Sequence, residues 1–108
     1  MEPLSLFVFG AGYSAQATID ALRLIGDMPV AATTRTAEKA VDLAARGVTS
    51  HVFDGTAPSS SLRPALEAAS HILVSIAPGP DGDPVLAHHG SDLLAAPNLK
   101  WIGYFSTI

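Results

Sequence analysis

Gly10 and Gly12, one residue apart and followed three positions on by Ala15, have the type and spacing that most directly imply chemistry. In a G-x-G-x-x-A turn the first glycine permits a tight bend and the second lets the backbone approach a pyrophosphate. The small third residue lets helix and strand pack closely. Backbone N–H groups around Tyr13, Ser14 and Ala15 would then meet phosphate at the positive end of a helix dipole. A second diagnostic position lies about 20 residues further on, where a carboxylate would bond the ribose 2′-OH of NAD. Thr33, Thr34 and Arg35 stand there instead, with Lys39 one helical turn later. A guanidinium suits a 2′-phosphate through bidentate, charge-assisted hydrogen bonds and can stack on adenine, which favours NADP over NAD. A solvated arginine at a strand end is the plainer alternative. Asp54, followed by Gly55, could accept from the adenine amine or simply close an Asp-Gly turn. Ser75, Ala77 and Pro78 are small residues that would admit the nicotinamide-side ribose or serve only as loop.

These positions need elements to hold them, and the apolar pattern supplies a regular series. Leu4–Phe9 is a short apolar run rich in strand formers, ending at the glycine turn. Ala15, Ile19, Leu22 and Gly26 follow at helical spacing, with Ala21 and Ile25 widening the stripe, and the helix ends near Gly26 and Asp27. Val30–Thr34 reads as a second strand, and Thr36 as the N-cap of a helix running through Ala40, Leu43 and Ala44 to a stop at Gly47. Val48–Phe53 is a third strand. The loop at Ser59, Ser60 and Ser61 leads to a helix with Leu62, Ala65, Leu66 and Ala69 on one face. His71–Ile76 is a fourth strand, apolar as a central parallel strand should be. A Pro/Gly-rich loop over 77–84 follows, with Asp83 as N-cap and Pro84 at the first helical position. The last helix passes Val85, Leu86, Leu93 and Leu94 before Pro97, and Leu99–Phe105 is a fifth strand. Right-handed crossovers then give one α/β domain over 1–108. Its sheet is parallel, doubly wound and Rossmann-like, with strand order 3-2-1-4-5 and helices on both faces.

The chain's 108 residues fit a single domain, and 48% hydrophobic against 15% charged residues excludes disorder. A formal net charge of −4 leaves no basic stripe for nucleic acid, so no nucleic-acid partner is expected. The lack of cysteine excludes disulfides and thiolate chemistry and fits a reducing compartment. No apolar run approaches the roughly 18 residues of a membrane span, and Met1-Glu2-Pro3 lacks a positive n-region. No membrane association and a cytoplasmic location are the expectation. His88 and His89 point about 100° apart on a helix and cannot form an i, i+4 metal pair, so they are expected on the surface or in helix packing. His51 and His71 read as structural, and no metal site is expected. Ser14, Ser60 and Ser75 lack the G-x-S-x-G elbow of a serine hydrolase.

G-A-G-Y-S-A after the first strand, T-T-R after the second, F-D-G after the third, S-I-A-P after the fourth and W-I-G-Y-F-S-T on the fifth occur in order over essentially the whole chain. In this series the chain resembles the N-terminal half of an atypical or extended short-chain dehydrogenase/reductase, in the NAD-dependent epimerase/dehydratase or nucleoside-diphosphate-sugar epimerase group. The resemblance implies a nicotinamide dinucleotide cofactor and a strand-five hydroxyl that bonds the substrate, best matched by Thr107 and next by Ser106. The family's Tyr-x-x-x-Lys pair has no counterpart here, because position 108 is Ile108 where Tyr104 would need a lysine, and Ala17 follows Tyr13 at that spacing. The expectation is therefore the cofactor-binding portion of an oxidoreductase or epimerase, inert by itself. The alternative is a non-catalytic module that senses a dinucleotide or scaffolds a partner. A fifth strand apolar on both faces, with Trp101, Ile102, Tyr104 and Phe105, further suggests a homo-oligomer through that edge.

Overall fold

Strand-forming runs of four or five residues alternate with helical stretches, and each of the first four strands is followed by a helix that returns the chain to the same end of the sheet. The computed structural model describes residues 4–26, 28–76, 79–80 and 82–104, with the backbone alone at positions 13, 14 and 25. The elements are β1 (Leu6–Phe9), α1 (Tyr13–Ile25), β2 (Val30–Thr34), α2 (Ala37–Ala45) and β3 (Thr49–Val52), then α3 (Leu62–Ala68), β4 (His71–Val74), α4 (Pro84–Leu94) and β5 (Trp101–Tyr104). The strands form one sheet in the order β3-β2-β1-β4-β5, and every neighbouring pair is parallel. This is the doubly wound, Rossmann-like arrangement expected from the pattern.

Burial explains why β1 sits at the centre. All four of its residues are buried, Leu6 and Val8 toward one side and Phe7 and Phe9 toward the other. Leu6 and Val8 join Ala15 and Ile19 of α1 and Leu43 of α2 in one core. Phe7 and Phe9 join Leu62 and Leu66 of α3 and Val85 and Leu93 of α4 in the other. Each fully buried Phe, Leu, Ile or Val contributes about 1.5–3 kcal/mol, so two cores built on one strand make β1 the most constrained element. Ala15 is wholly buried, and its small side chain lets α1 lie close on the sheet.

The helix ends follow their cap chemistry. The Thr36 hydroxyl accepts from Lys39 N–H at 3.3 Å, and the Asp83 carboxylate accepts from Val85 N–H at 2.9 Å, with Pro84 in the first turn. Arg23 of α1 donates to the carbonyls of Arg46 and Gly47, both at 2.8 Å, placing a cation on the C-terminal end of α2. Two details depart from the pattern. Ala21 is exposed and does not widen the buried stripe of α1, because Ile19 and Ala15 already fill the space against β1 and β2. On α4 the buried stripe is Val85, His89 and Leu93 at i, i+4 and i+8, while Leu86 and Leu94 face solvent.

On β5, Trp101, Ile102 and Tyr104 are each more than a third exposed. Phe105, Ser106 and Thr107 lie outside the described residues. No described helix is long and apolar enough to cross a membrane.

Candidate functional site

Parallel strands bring their C-terminal ends to one edge, and there β1 separates crossovers that run to opposite faces. A cleft of about 1350 Å³ opens at this switch point. Its floor is the glycine turn between β1 and α1. Gly10 adopts φ +86°, a conformation that favours glycine, and a Cβ there would stand 2.8 Å from Ile76 Cγ1. Its N–H donates to the Thr33 hydroxyl at 2.8 Å, and Ala11 N–H donates to the Thr33 carbonyl at 2.9 Å. Gly12 caps α1 in an extended conformation with open space where a Cβ would project. The N–H groups of the first helical turn have no acceptor within the helix and stand at its positive end. Gln16 braces the turn by donating to the Ala11 carbonyl at 2.9 Å.

The rim carries charges of both signs, Arg35, Lys39 and Arg46 beside Asp20, Asp42, Asp54 and Asp83. Arg35, the first residue after β2, and Lys39 in α2 both line the cleft, and neither closes an ion pair among the described residues. Arg46 also lines it but is committed elsewhere, to Gln16 Oε1 and to Asp20 at 3.4 Å. Thr34 lines the cleft while its hydroxyl donates to the Thr36 carbonyl at 2.8 Å, so its side chain shapes the β2–α2 bend. Asp54 and Gly55 after β3 line one side of the cleft, and Ser75 and Ile76 after β4 line the other. The Asp54 carboxylate accepts from the Thr56 hydroxyl at 2.6 Å and the Thr56 N–H at 2.9 Å, bonds that hold its pKa below the ordinary carboxylate value. The N–H groups at the start of α1 and the side chains of Arg35 and Lys39 are thus two separate positive positions on one cleft.

Among the sequence candidates, Gly10, Gly12, Thr34, Arg35, Lys39, Asp54, Gly55 and Ser75 therefore converge on one cleft. The Ala15 side chain does not line it but packs beneath it. The side chains of Tyr13 and Ser14, and all of Ala77, Pro78, Ser106 and Thr107, lie outside what is described. Sequence reasoning missed the hydroxyl of Thr33 as the brace of the glycine turn. It also missed Pro84, Ala87 and His88 of α4 as part of the wall. A threonine in a strand gives no local sign of the loop it will cap across the sheet.

Two other histidines are engaged within the fold. His89 is 1% exposed: its Nε2 accepts from Ser59 N–H at 3.2 Å, so its ring proton sits on Nδ1, which donates to Asp92 at 2.9 Å. His51 on β3 lies 2.9 Å from the Ser61 hydroxyl through Nδ1, while its buried Nε2 has no partner. Burial pushes the His51 pKa below its ordinary value of 6.5. The unfolded chain then takes up a proton that the folded chain resists, so stability is full above pH 6.5 and declines as pH falls through it. We expect the melting temperature to fall between pH 7 and pH 5, and His51→Gln to flatten that fall. An unchanged slope in the variant would assign it to other groups. Among the described residues no cluster of three metal-ligating side chains occurs.

No known family model matches the chain, and no curated protein does. Among solved structures it is similar to a functionally unknown conserved protein from Silicibacter pomeroyi, 34% identical, with TM-score 0.73 over 95% of this chain and 35% of that one. It is also similar to the chain named SsCR_L211H, 21% identical, with TM-score 0.73 over 98% of this chain and 38% of that one. The chain thus spans a little over a third of the length of these solved structures. The likeness establishes the α/β fold.

Proposed function

We propose that the chain is an NADP-binding module, the cofactor-holding portion of an oxidoreductase or nucleotide-sugar epimerase/dehydratase of the short-chain dehydrogenase/reductase type. The observation that carries this reading is the meeting of the Gly10–Gly12 turn with Arg35 and Lys39 in one cleft at the switch point. The pyrophosphate would rest on the N–H groups at the start of α1, where the open space at Gly12 lets an oxygen approach the backbone. Arg35 would grip the 2′-phosphate in bidentate fashion, with Lys39 as a second, point-like cation. Asp54, ionised and oriented by Thr56, offers its remaining oxygen to the adenine amine. Ser75 and Ile76 border the path of the nicotinamide half.

The cofactor supplies the hydride chemistry, and these residues hold and orient it. In a longer protein, Thr107 and Ser106 are the hydroxyls proposed to meet substrate. For the 108-residue chain itself, the proposed function is binding. Calorimetric titration with NADPH and NADH is the direct test. NADPH is expected to bind at least about tenfold tighter, the low end of a charge-assisted contact worth about 1.5–3 kcal/mol. Equal affinities would remove the NADP assignment, and no binding of either would remove the dinucleotide.

A further inference from the structure

Between Gly10 and α1 the chain turns through the Ala11–Gly12 peptide, and both polar ends of that peptide are taken. The Gly12 N–H donates to the Gly10 carbonyl at 2.9 Å, and the Ala11 carbonyl accepts from Gln16 Nε2 at 2.9 Å. Gln16 is half-buried, lines the cleft, and donates its own backbone N–H to the Gly12 carbonyl at 2.9 Å. The other end of its carboxamide is equally committed: Oε1 accepts from Arg46 Nη1, and Arg46 Nη2 pairs with Asp20 at 3.4 Å. A guanidinium only donates and a backbone carbonyl only accepts, so the carboxamide has one orientation, oxygen to Arg46 and nitrogen to Ala11. A glutamate at this position would satisfy Arg46 alone, and an apolar residue would satisfy neither.

The N–H groups of Gly10, Ala11 and Gly12 are all used within the fold, on the Thr33 hydroxyl, the Thr33 carbonyl and the Gly10 carbonyl. The donors left for a phosphate are those of the first turn of α1, and the Ala11 carbonyl stands immediately before them in the chain. An N–H attracts a phosphate and a carbonyl oxygen repels it, so a turn that serves an anion must keep that peptide from rotating. We propose that Gln16 is a positioning residue for the pyrophosphate, its carboxamide locking the Ala11–Gly12 peptide so that the carbonyl is taken up by Gln16 and does not face the ligand. This rests on the dinucleotide reading above and adds the residue that keeps its cradle in shape. It also gives Arg46 a part: although it lines the cleft, it acts on the ligand through Gln16 and not by direct contact.

The test titrates NADPH, NADH and adenosine 2′-monophosphate into the wild-type chain, Gln16→Met and Gln16→Glu. The first two ligands share the pyrophosphate, and the third has the base and 2′-phosphate without it. Gln16→Met, which has similar length and no donor, is expected to weaken NADPH and NADH by one common factor of about threefold to tenfold, the range of a single hydrogen bond. Adenosine 2′-monophosphate is expected to bind as it does to wild type. Gln16→Glu keeps the bond from Arg46 but sets an oxygen against the Ala11 carbonyl, so its loss of both dinucleotides should be at least as large. Thermal melts check that both variants stay folded at the temperature of the titration. Unchanged dinucleotide affinity in either variant, a loss confined to NADPH, or an equal loss of adenosine 2′-monophosphate would each overturn the positioning role while leaving the dinucleotide site standing. A wild-type chain that binds neither dinucleotide would overturn the dinucleotide reading itself.

Discussion

Replacing Arg35 with aspartate is expected to weaken NADPH binding by about 30-fold or more while changing NADH affinity by less than about threefold. The size follows from the chemistry at the rim. A guanidinium on a phosphate makes charge-assisted bonds worth about 1.5–3 kcal/mol, or roughly 10- to 150-fold in affinity. Arg35 is exposed, which places the loss below the top of that range. Charge reversal adds repulsion between aspartate and the phosphate. Arg35 lines the cleft without closing a salt bridge among the described residues, so little of the effect should come through stability. Fluorescence titration at two salt concentrations checks the origin, since the gap between wild type and variant should narrow as salt rises. Equal losses of NADPH and NADH would place Arg35 on the common part of the ligand and remove it as the discriminator.

The second large effect separates the two glycines of the turn. Gly10→Ala puts a side chain at φ +86° and a methyl group 2.8 Å from Ile76 Cγ1, so it should damage both fold and binding. A non-glycine residue held in a sparsely populated region costs about 1–3 kcal/mol. For a domain of this size that lowers the melting temperature by about 5–20 °C. Gly12→Ala has φ −77° and nothing within 4 Å of the new methyl, so its melting temperature should stay near wild type. That methyl stands where a phosphate oxygen would approach, so dinucleotide affinity should still fall. Melting curves and titrations on both variants give the comparison. A Gly12→Ala variant that binds as well as wild type would show that the ligand does not reach this backbone.

The sequence made the frame legible because its signals are local. The glycine turn after Leu6–Phe9, the cap at Thr36 and the Asp83-Pro84 start of α4 each depend on residues within one turn of the chain, and each appears where the spacing puts it. Strand order followed from alternation and crossover handedness. What stayed hidden depends on long separations. Thr33 meets Gly10 across 23 residues, and His89 meets Ser59 across 30, and no spacing rule connects either pair. The solvent-facing positions of Leu86 and Leu94 were hidden for another reason: a leucine looks the same on either side of a helix until its neighbours decide which side is filled. Ala15 was legible too: the small third residue of the turn is expected to let helix and strand pack closely, and it is wholly buried against β1.

Thr33 has a wider consequence. It receives Gly10 through its side chain and Ala11 through its main chain, and Arg35 is only two residues beyond it. The turn at the start of α1 and the cation at the end of β2 are therefore set like the two jaws of a caliper whose opening is fixed by one residue. On the proposed dinucleotide reading, a ligand would be gauged by the span between its anionic groups as well as by their charge, and moving a phosphate along the ribose would change the span that the caliper reads.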